Sequence, residues 1–131
     1  MKTNAVFLFL LFFVFFSCTS TKTNNNLGKE NCNLNKIKIK LSEFDENGLI
    51  GEEGGKVALD YEFCVPNNNE VLNEIKEIDS GIKPVKGKGR TKCSENSILL
   101  IGNSHQKDIK KILCKLSQLD YITEINPVYW E

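Results

Sequence analysis

Five cysteines and a single histidine are the residues of this chain best suited to covalent chemistry. A cysteine thiolate beside a histidine can act as a nucleophile, and His105 is the one imidazole available as its base. No sequence signature places a cysteine next to His105, and such an enzyme also needs a group that orients the base. The sequence therefore predicts no catalytic residue and leaves a thiol/His enzyme as an alternative function.

Four of the cysteines, Cys32, Cys64, Cys93 and Cys114, form an even set in a short chain. In an oxidising compartment such a set indicates two disulfides, for which three connectivities exist. The spacings include no Cys-x-x-Cys pair, and structural zinc sites are usually built from paired ligands. The sequence predicts disulfides and neither a metal site nor a cofactor.

The strongest local charge lies between Ile82 and Cys93, a stretch with five basic residues and no acidic one. Its proline and glycines predict an edge strand or a bulged strand. The basic side chains that alternate along one face of that strand are a candidate site for an anion such as lipid phosphate or an acidic glycan. A charged edge that prevents pairing with other chains is the competing interpretation. These candidate residues are Lys86, Lys88, Arg90 and Lys92.

Asp60 and Glu62 are two carboxylates separated by one residue on a predicted strand. Acid and base catalysis by such a pair requires surroundings that push the two pKa values apart. Nothing else in the sequence builds a pocket around them. We therefore expect a structural role, opposite the lysines of a neighbouring strand.

Alternating apolar residues predict strands over 35–44 and 56–65, and the unbroken apolar run 98–102 predicts a central strand covered on both faces. Apolar residues at helical spacing predict two amphipathic helices. An Asn followed three residues later by Glu or Gln resembles a capping box at the start of each helix. The predicted strands are 35–44, 56–65, 82–93, 98–102 and 121–131, with Pro127 placing the last at an edge. The predicted helices begin at Asn67 and Asn103.

Without the 35–44 strand, the predicted order is strand, helix, strand, strand, helix, strand. It resembles the ferredoxin-like βαββαβ arrangement, an α+β fold with an antiparallel sheet and both helices on one face. The 35–44 strand would be an extra N-terminal strand. In this arrangement Cys64 and Cys93 lie toward the same end of the sheet, which favours their pairing and leaves Cys32 for Cys114.

The chain opens with a block of twelve apolar residues, Ala5–Phe16, after a short start with one lysine. A membrane-spanning helix needs about 20 apolar residues, whereas about 7 to 15 after a basic start are typical of a secretory signal peptide. Ser17 and Cys18 then resemble the processing box of bacterial lipoproteins, in which the cysteine is acylated. The resemblance implies a signal peptide over 1–17 and lipid attachment at Cys18. Cleavage after Ser20 without lipidation is the alternative.

Residues 18–34 are rich in Thr, Ser, Asn and Lys and predict a polar tether, followed by a single α+β domain over 35–131. The 17 basic residues balance the 17 acidic ones, so no nucleic-acid partner is predicted.

We therefore expect an exported binding or adaptor domain of the bacterial cell envelope, held to a membrane by an N-terminal lipid and contacting an envelope protein. The alternatives are the small exported thiol/His enzyme and a protease inhibitor. The inhibitor rests on similarity of the predicted fold to the prodomains of subtilisin-type proteases.

Overall fold

A computed structural model gives the structure of residues 31–130. They form a four-stranded and a two-stranded antiparallel sheet, two α-helices and one turn of 3-10 helix. The α+β class predicted from the sequence is therefore confirmed. The elements are a 3-10 turn (Leu41–Glu43), β1 (Leu49–Ile50), β2 (Val57–Ala58), β3 (Asp60–Pro66), α1 (Asn69–Ile78), β4 (Lys83–Val85), β5 (Ser97–Asn103), α2 (Ile109–Gln118) and β6 (Asn126–Val128).

The two long strands, β3 and β5, form the centre of the larger sheet. Their antiparallel register places Phe63 opposite Leu100 and Glu62 opposite Ile101. Tyr61 and Phe63 are fully buried, as the alternation along β3 predicts, and so is Leu100 of β5. The predicted strand 56–65 is divided, however, and its first apolar residue, Val57, lies in the small sheet and is exposed.

The larger sheet has the strand order β4-β5-β3-β6, so β4 and β6 are its edges. Each edge strand is three residues long and has a proline at its middle position, Pro84 in β4 and Pro127 in β6. A proline has no backbone N–H to donate, which suits it to an edge. The predicted edge positions of both segments are confirmed.

Both helices cover the same face of this sheet. Ile75 of α1 and Leu113 of α2 belong to one buried cluster with Tyr61, Phe63 and Leu100. The apolar stripes predicted for the two helices therefore point into a shared core. By contrast, the side chains at alternate positions of β3 and β5 lie on the opposite face of the sheet.

The helix starts differ from the predicted capping boxes. The N-cap of α1 is Asn68 rather than Asn67, and its side-chain oxygen accepts a hydrogen bond from Val71 N at 2.8 Å. The N-cap of α2 is Asp108, because Asn103 remains the last residue of β5. Asn103 and Gln106 lie in the connecting turn instead of starting the helix. Gln106 Nε2 donates to Asn103 O, and Asn103 Oδ1 accepts from His105 N.

The N-terminal strand predicted over 35–44 is wrong. Ile37 makes a single parallel bridge to Ile125, with Lys38 N donating to Ile125 O at 2.9 Å, and a 3-10 turn begins at Leu41. The alternation reflects burial of Ile37 against the core without a continuous ladder. The lysines of this segment consequently do not lie opposite Asp60, whose partners are in β5 and β6.

The predicted signal peptide 1–17, Cys18 and most of the tether lie outside the described residues. Within 31–130, neither helix has the length and apolar character needed to cross a membrane.

Candidate functional site

The four cysteines of the described part form two pairs. Cys64 on β3 is bonded to Cys93, with their Cα atoms 5.4 Å apart, and Cys32 is bonded to Cys114 of α2, with a Cα separation of 4.7 Å. The structure thus brings together both pairs named from the sequence. In this state none of the four offers a thiolate for nucleophilic chemistry.

His105 lies in the exposed turn between β5 and α2, where its backbone N–H donates to Asn103 Oδ1 at 2.9 Å. The adjacent Ser104 is fully buried. Its hydroxyl donates to Gly48 O at 2.6 Å and accepts from Leu59 N at 2.8 Å. Ser104 is therefore occupied in holding three chain segments together, and the cysteines that could pair with His105 are in disulfides.

The two carboxylates of β3 point to the sheet face opposite the helices, and each one fastens a loop. Glu62, only 2% exposed, accepts through Oε1 from Thr91 N at 2.8 Å and from the Thr91 hydroxyl at 2.9 Å. Asp60 accepts from Asn103 Nδ2 at 2.6 Å and from the indole N–H of Trp130 at 2.7 Å. Both carboxylates therefore make structural contacts, but with Thr91, Asn103 and Trp130 instead of the lysines expected from the sequence.

The predicted basic stripe on a strand face is wrong. The strand β4 ends at Val85, and 86–93, here called the basic loop, runs as bends and turns. Gly87, Gly89 and Lys92 have positive φ angles of 118°, 59° and 56°, which a strand does not accommodate. Lys86, Lys88, Arg90 and Lys92 therefore lie on a loop.

The basic loop lies closely over part of the uncovered sheet face. A Cβ at Gly89 would meet the side chains of Leu99 and Glu62, and the positive φ of Gly89 also favours glycine here. Arg90 Nη2 donates to Tyr129 O at 2.7 Å, which links the loop to the segment after β6. Leu99 is buried beneath this cover, away from the helical core.

The rest of this face remains open as a groove of about 490 Å³. Its floor is apolar, and Trp130 forms one wall with its indole ring held by the bond to Asp60. Trp130 is 74% exposed and Val85 38% exposed, so large apolar side chains face solvent here. The lining residues include Val85, Ile101, Lys83, Asp60 and Trp130.

Sequence reasoning missed this groove. Val85, Ile101 and Trp130 are far apart in the chain and meet only through the register of β4 with β5 and the return of the chain along β6. The one available signal was Trp130 itself, the only tryptophan in the sequence.

A buried polar cluster lies on the opposite, helical side. The Tyr61 hydroxyl donates to Asp79 Oδ2, and Asp79 Oδ1 accepts from Gly81 N at 3.0 Å. Burial, followed by the neighbouring Asp79 carboxylate, raises the pKa of Tyr61 far above its ordinary value. Tyr61 therefore remains a neutral donor and ties β3 to the end of α1. Within residues 31–130 no cluster of three or more potential metal ligands occurs.

Comparison of the chain with protein-family models, with curated proteins and with solved structures gave no match.

Proposed function

We propose that this protein is an exported binding module of the bacterial cell envelope, anchored by a lipid on Cys18, which presents the uncovered sheet face to an envelope protein. The observation that carries the proposal is the groove, where Trp130 and Val85 expose apolar surface beside a loop fastened in place. Exposed aromatic residues on a rigid support are common anchors of protein interfaces.

The chemistry of the remaining groups favours binding over catalysis. Cys64, Cys93 and Cys114 are bonded in disulfides, and the nearest serine to His105 is buried in structural hydrogen bonds. The thiol/His enzyme would need one disulfide reduced and a cysteine brought to His105. Two disulfides also suit an exported chain.

The strand order β4-β5-β3-β6, with both helices on one face, supports a ferredoxin-like arrangement of the larger sheet. In that arrangement one sheet face has no helices, which leaves it available for a partner. The same strand order favours the second candidate function, inhibition of a subtilisin-type protease. An inhibition assay with the purified protein and such a protease separates a protease partner from other partners.

Site-directed crosslinking tests the binding surface. We expect a photo-crosslinking amino acid in place of Val85 to give a defined protein adduct in intact cells, and the adduct to weaken when Trp130→Ala is added. The same amino acid in place of Lys110, exposed on α2, is the matched control and should give no such adduct. Equal adducts from positions 85 and 110 would contradict the proposed surface.

The anchor is tested by the intact mass of the protein from its native membrane. We expect a chain that begins at Cys18 and carries the added mass of a diacylglyceryl group. A chain that begins after Ser20 with no added mass would overturn the anchor while leaving the binding surface in place.

A further inference from the structure

Basic residues outnumber acidic ones around the groove, because its lining contains one lysine and one carboxylate, Asp60, while the adjoining basic loop contains four basic residues and no acidic one. Lys83 lines the groove, and Lys86, Lys88 and Lys92 are exposed on the basic loop beside it. The ion pairs found within residues 31–130 all lie elsewhere, so these ammonium groups have no carboxylate partner there. Although the whole chain is neutral, this face presents cations that can receive acidic groups.

The carboxylates of the same face form no ion pair with the lysines, and their two negative charges are fewer than the positive charges of Lys83 and the basic loop. Glu62 is buried and bonded to Thr91, and the two oxygens of Asp60 accept from Asn103 and Trp130. The cations are thus available to a partner, whereas the anions are engaged in holding the face together.

The groove also offers an apolar place for a side chain. Ile101 and Val85 lie on the same sheet face, because Val85 pairs with Leu99 and Lys83 pairs with Ile101 in the register of β4 and β5. The indole of Trp130 stands beside them. A polyanion of sugars or phosphates would leave this apolar surface unused, whereas a large apolar side chain of a peptide would bury it.

A partner is directed to the face rather than to the sheet edges. Pro84 and Pro127 occupy the middle of the two short edge strands and have no N–H to donate to an added strand. Arg90, the only arginine in the chain, already donates to Tyr129 O. The guanidinium group of Arg90, whose planar shape suits phosphate groups, is therefore partly occupied, and the cations without a partner are lysines.

We propose that the groove binds an acidic peptide segment of a partner protein, with one large apolar side chain between Val85 and Trp130 and carboxylates against Lys83 and the basic loop. This inference rests on the proposed binding function and specifies the chemistry of the partner.

The test begins with selection of a displayed random peptide library on the immobilised exported protein. We expect selected peptides to contain a large apolar residue flanked by Asp and Glu. Titration with such a peptide should change the emission of Trp130, which is the only tryptophan and thus a direct reporter of the groove. The counterpart peptide with Asn and Gln in place of Asp and Glu should bind at least about tenfold more weakly.

Variants of the protein then locate the contact by anisotropy of the labelled peptide. Trp130→Ala should weaken binding by about tenfold or more, as loss of a central aromatic anchor does. Lys83→Gln combined with Lys86→Gln should weaken it by about five- to tenfold and reduce its dependence on salt. Lys107→Gln combined with Lys110→Gln removes two exposed lysines outside the groove and basic loop and should leave binding unchanged.

Selected peptides without an acidic excess, but sensitive to Trp130→Ala, would overturn the acidic partner and leave the binding function standing. Peptides insensitive to all variants of the face would count against both proposals. A third arm uses phosphatidylglycerol vesicles. If vesicle binding requires Lys83 and Lys86 while no acidic peptide binds, the face recognises a lipid surface and the peptide proposal is wrong.

Discussion

The carboxylate of Glu62 accepts two hydrogen bonds from Thr91, one from its backbone N–H at 2.8 Å and one from its hydroxyl at 2.9 Å. Glu62 is central in β3, and Thr91 belongs to the basic loop. A buried strand residue thereby fixes the position of the loop that borders the groove. The shape of the groove depends on this contact as well as on the disulfide between Cys64 and Cys93.

Replacement of Glu62 should loosen the basic loop. Glu62→Ala leaves the partly buried donors of Thr91 without their acceptor, and unmet donors shielded from water cost about 1–3 kcal/mol of unfolding free energy. We expect a loss of that size in urea denaturation, together with faster hydrogen exchange at Thr91. Glu95→Ala, at an exposed carboxylate of the same connection, is the control and should change stability by less than about 0.5 kcal/mol. Equal losses of stability for the two variants would contradict the role of Glu62 in fixing the basic loop.

The Tyr61 hydroxyl should contribute more to stability than an exposed tyrosine hydroxyl. Tyr61→Phe removes a donor to Asp79, which is 1% exposed, and hydrogen bonds to charged groups contribute about 1.5–3 kcal/mol. Tyr121→Phe is the matched control, since its hydroxyl donates to Glu74 at the surface. Chemical denaturation of both variants measures the difference. A cost for Tyr61→Phe no larger than that for Tyr121→Phe would contradict the role of the buried pair.

The two disulfides should differ in their effects. Their sequence separations are 82 for Cys32–Cys114 and 29 for Cys64–Cys93, for which loop entropy predicts about 4.5 and about 3.6 kcal/mol. Serine variants of each pair, compared by denaturation, should therefore show the larger loss for Cys32–Cys114. Only removal of the Cys64–Cys93 bond should weaken peptide binding at the groove, because that bond fastens the basic loop. Weaker peptide binding after removal of the Cys32–Cys114 bond, with unchanged binding after removal of the Cys64–Cys93 bond, would contradict this prediction.

Acid should loosen the turn around Asp45. Hydrogen bonds from Leu49 N and then from Lys56 Nζ hold the pKa of Asp45 at about 2, below its ordinary value of 3.8. A lowered pKa in the folded state means that this carboxylate stabilises the fold above about pH 4 and loses that contribution as the pH falls toward 2. Hydrogen exchange at Leu49 should rise in this window.

In Asp45→Asn the carboxylate no longer titrates, so exchange at Leu49 should become independent of pH there after correction for the intrinsic rate. Glu46→Gln changes an exposed neighbour and should preserve the wild-type pH dependence. If exchange at Leu49 lost its pH dependence in Glu46→Gln, the titrating group would be Glu46 and the prediction for Asp45 would be wrong.

The sequence predicted best those elements whose pattern is long and regular. β5 and the apolar stripes of α1 and α2 are formed as expected, because an unbroken apolar run and a helical repeat each bury one defined set of side chains. The predicted start of α1 is wrong by one residue, because adjacent polar residues compete for the capping position. The predicted start of α2 is wrong by several residues, because Asn103 is retained by the ladder of β5.

Two alternating segments were misread for a common reason. The lysines of 36–40 and of the basic loop alternate with other residues, which imitates a strand, yet a strand also needs a neighbour to receive its hydrogen bonds. Ile37 has one bridge only, and positive φ angles at Gly87 and Gly89 turn the basic loop back over the sheet. The groove likewise depends on long-range register, which a local pattern does not contain.

The bond between Cys32 and Cys114 has a mechanical consequence. Force that reaches the described chain from its N-terminal side passes from Cys32 into α2 before it reaches Ile37 and the single bridge to Ile125. Without the bond, the same pull would peel this weakly paired segment from the sheet one contact at a time. With the bond, the load is shared by a helix whose Leu113 and Leu116 are embedded in the core. The disulfide thereby protects the fold against unfolding by a force applied through the N-terminal part of the chain.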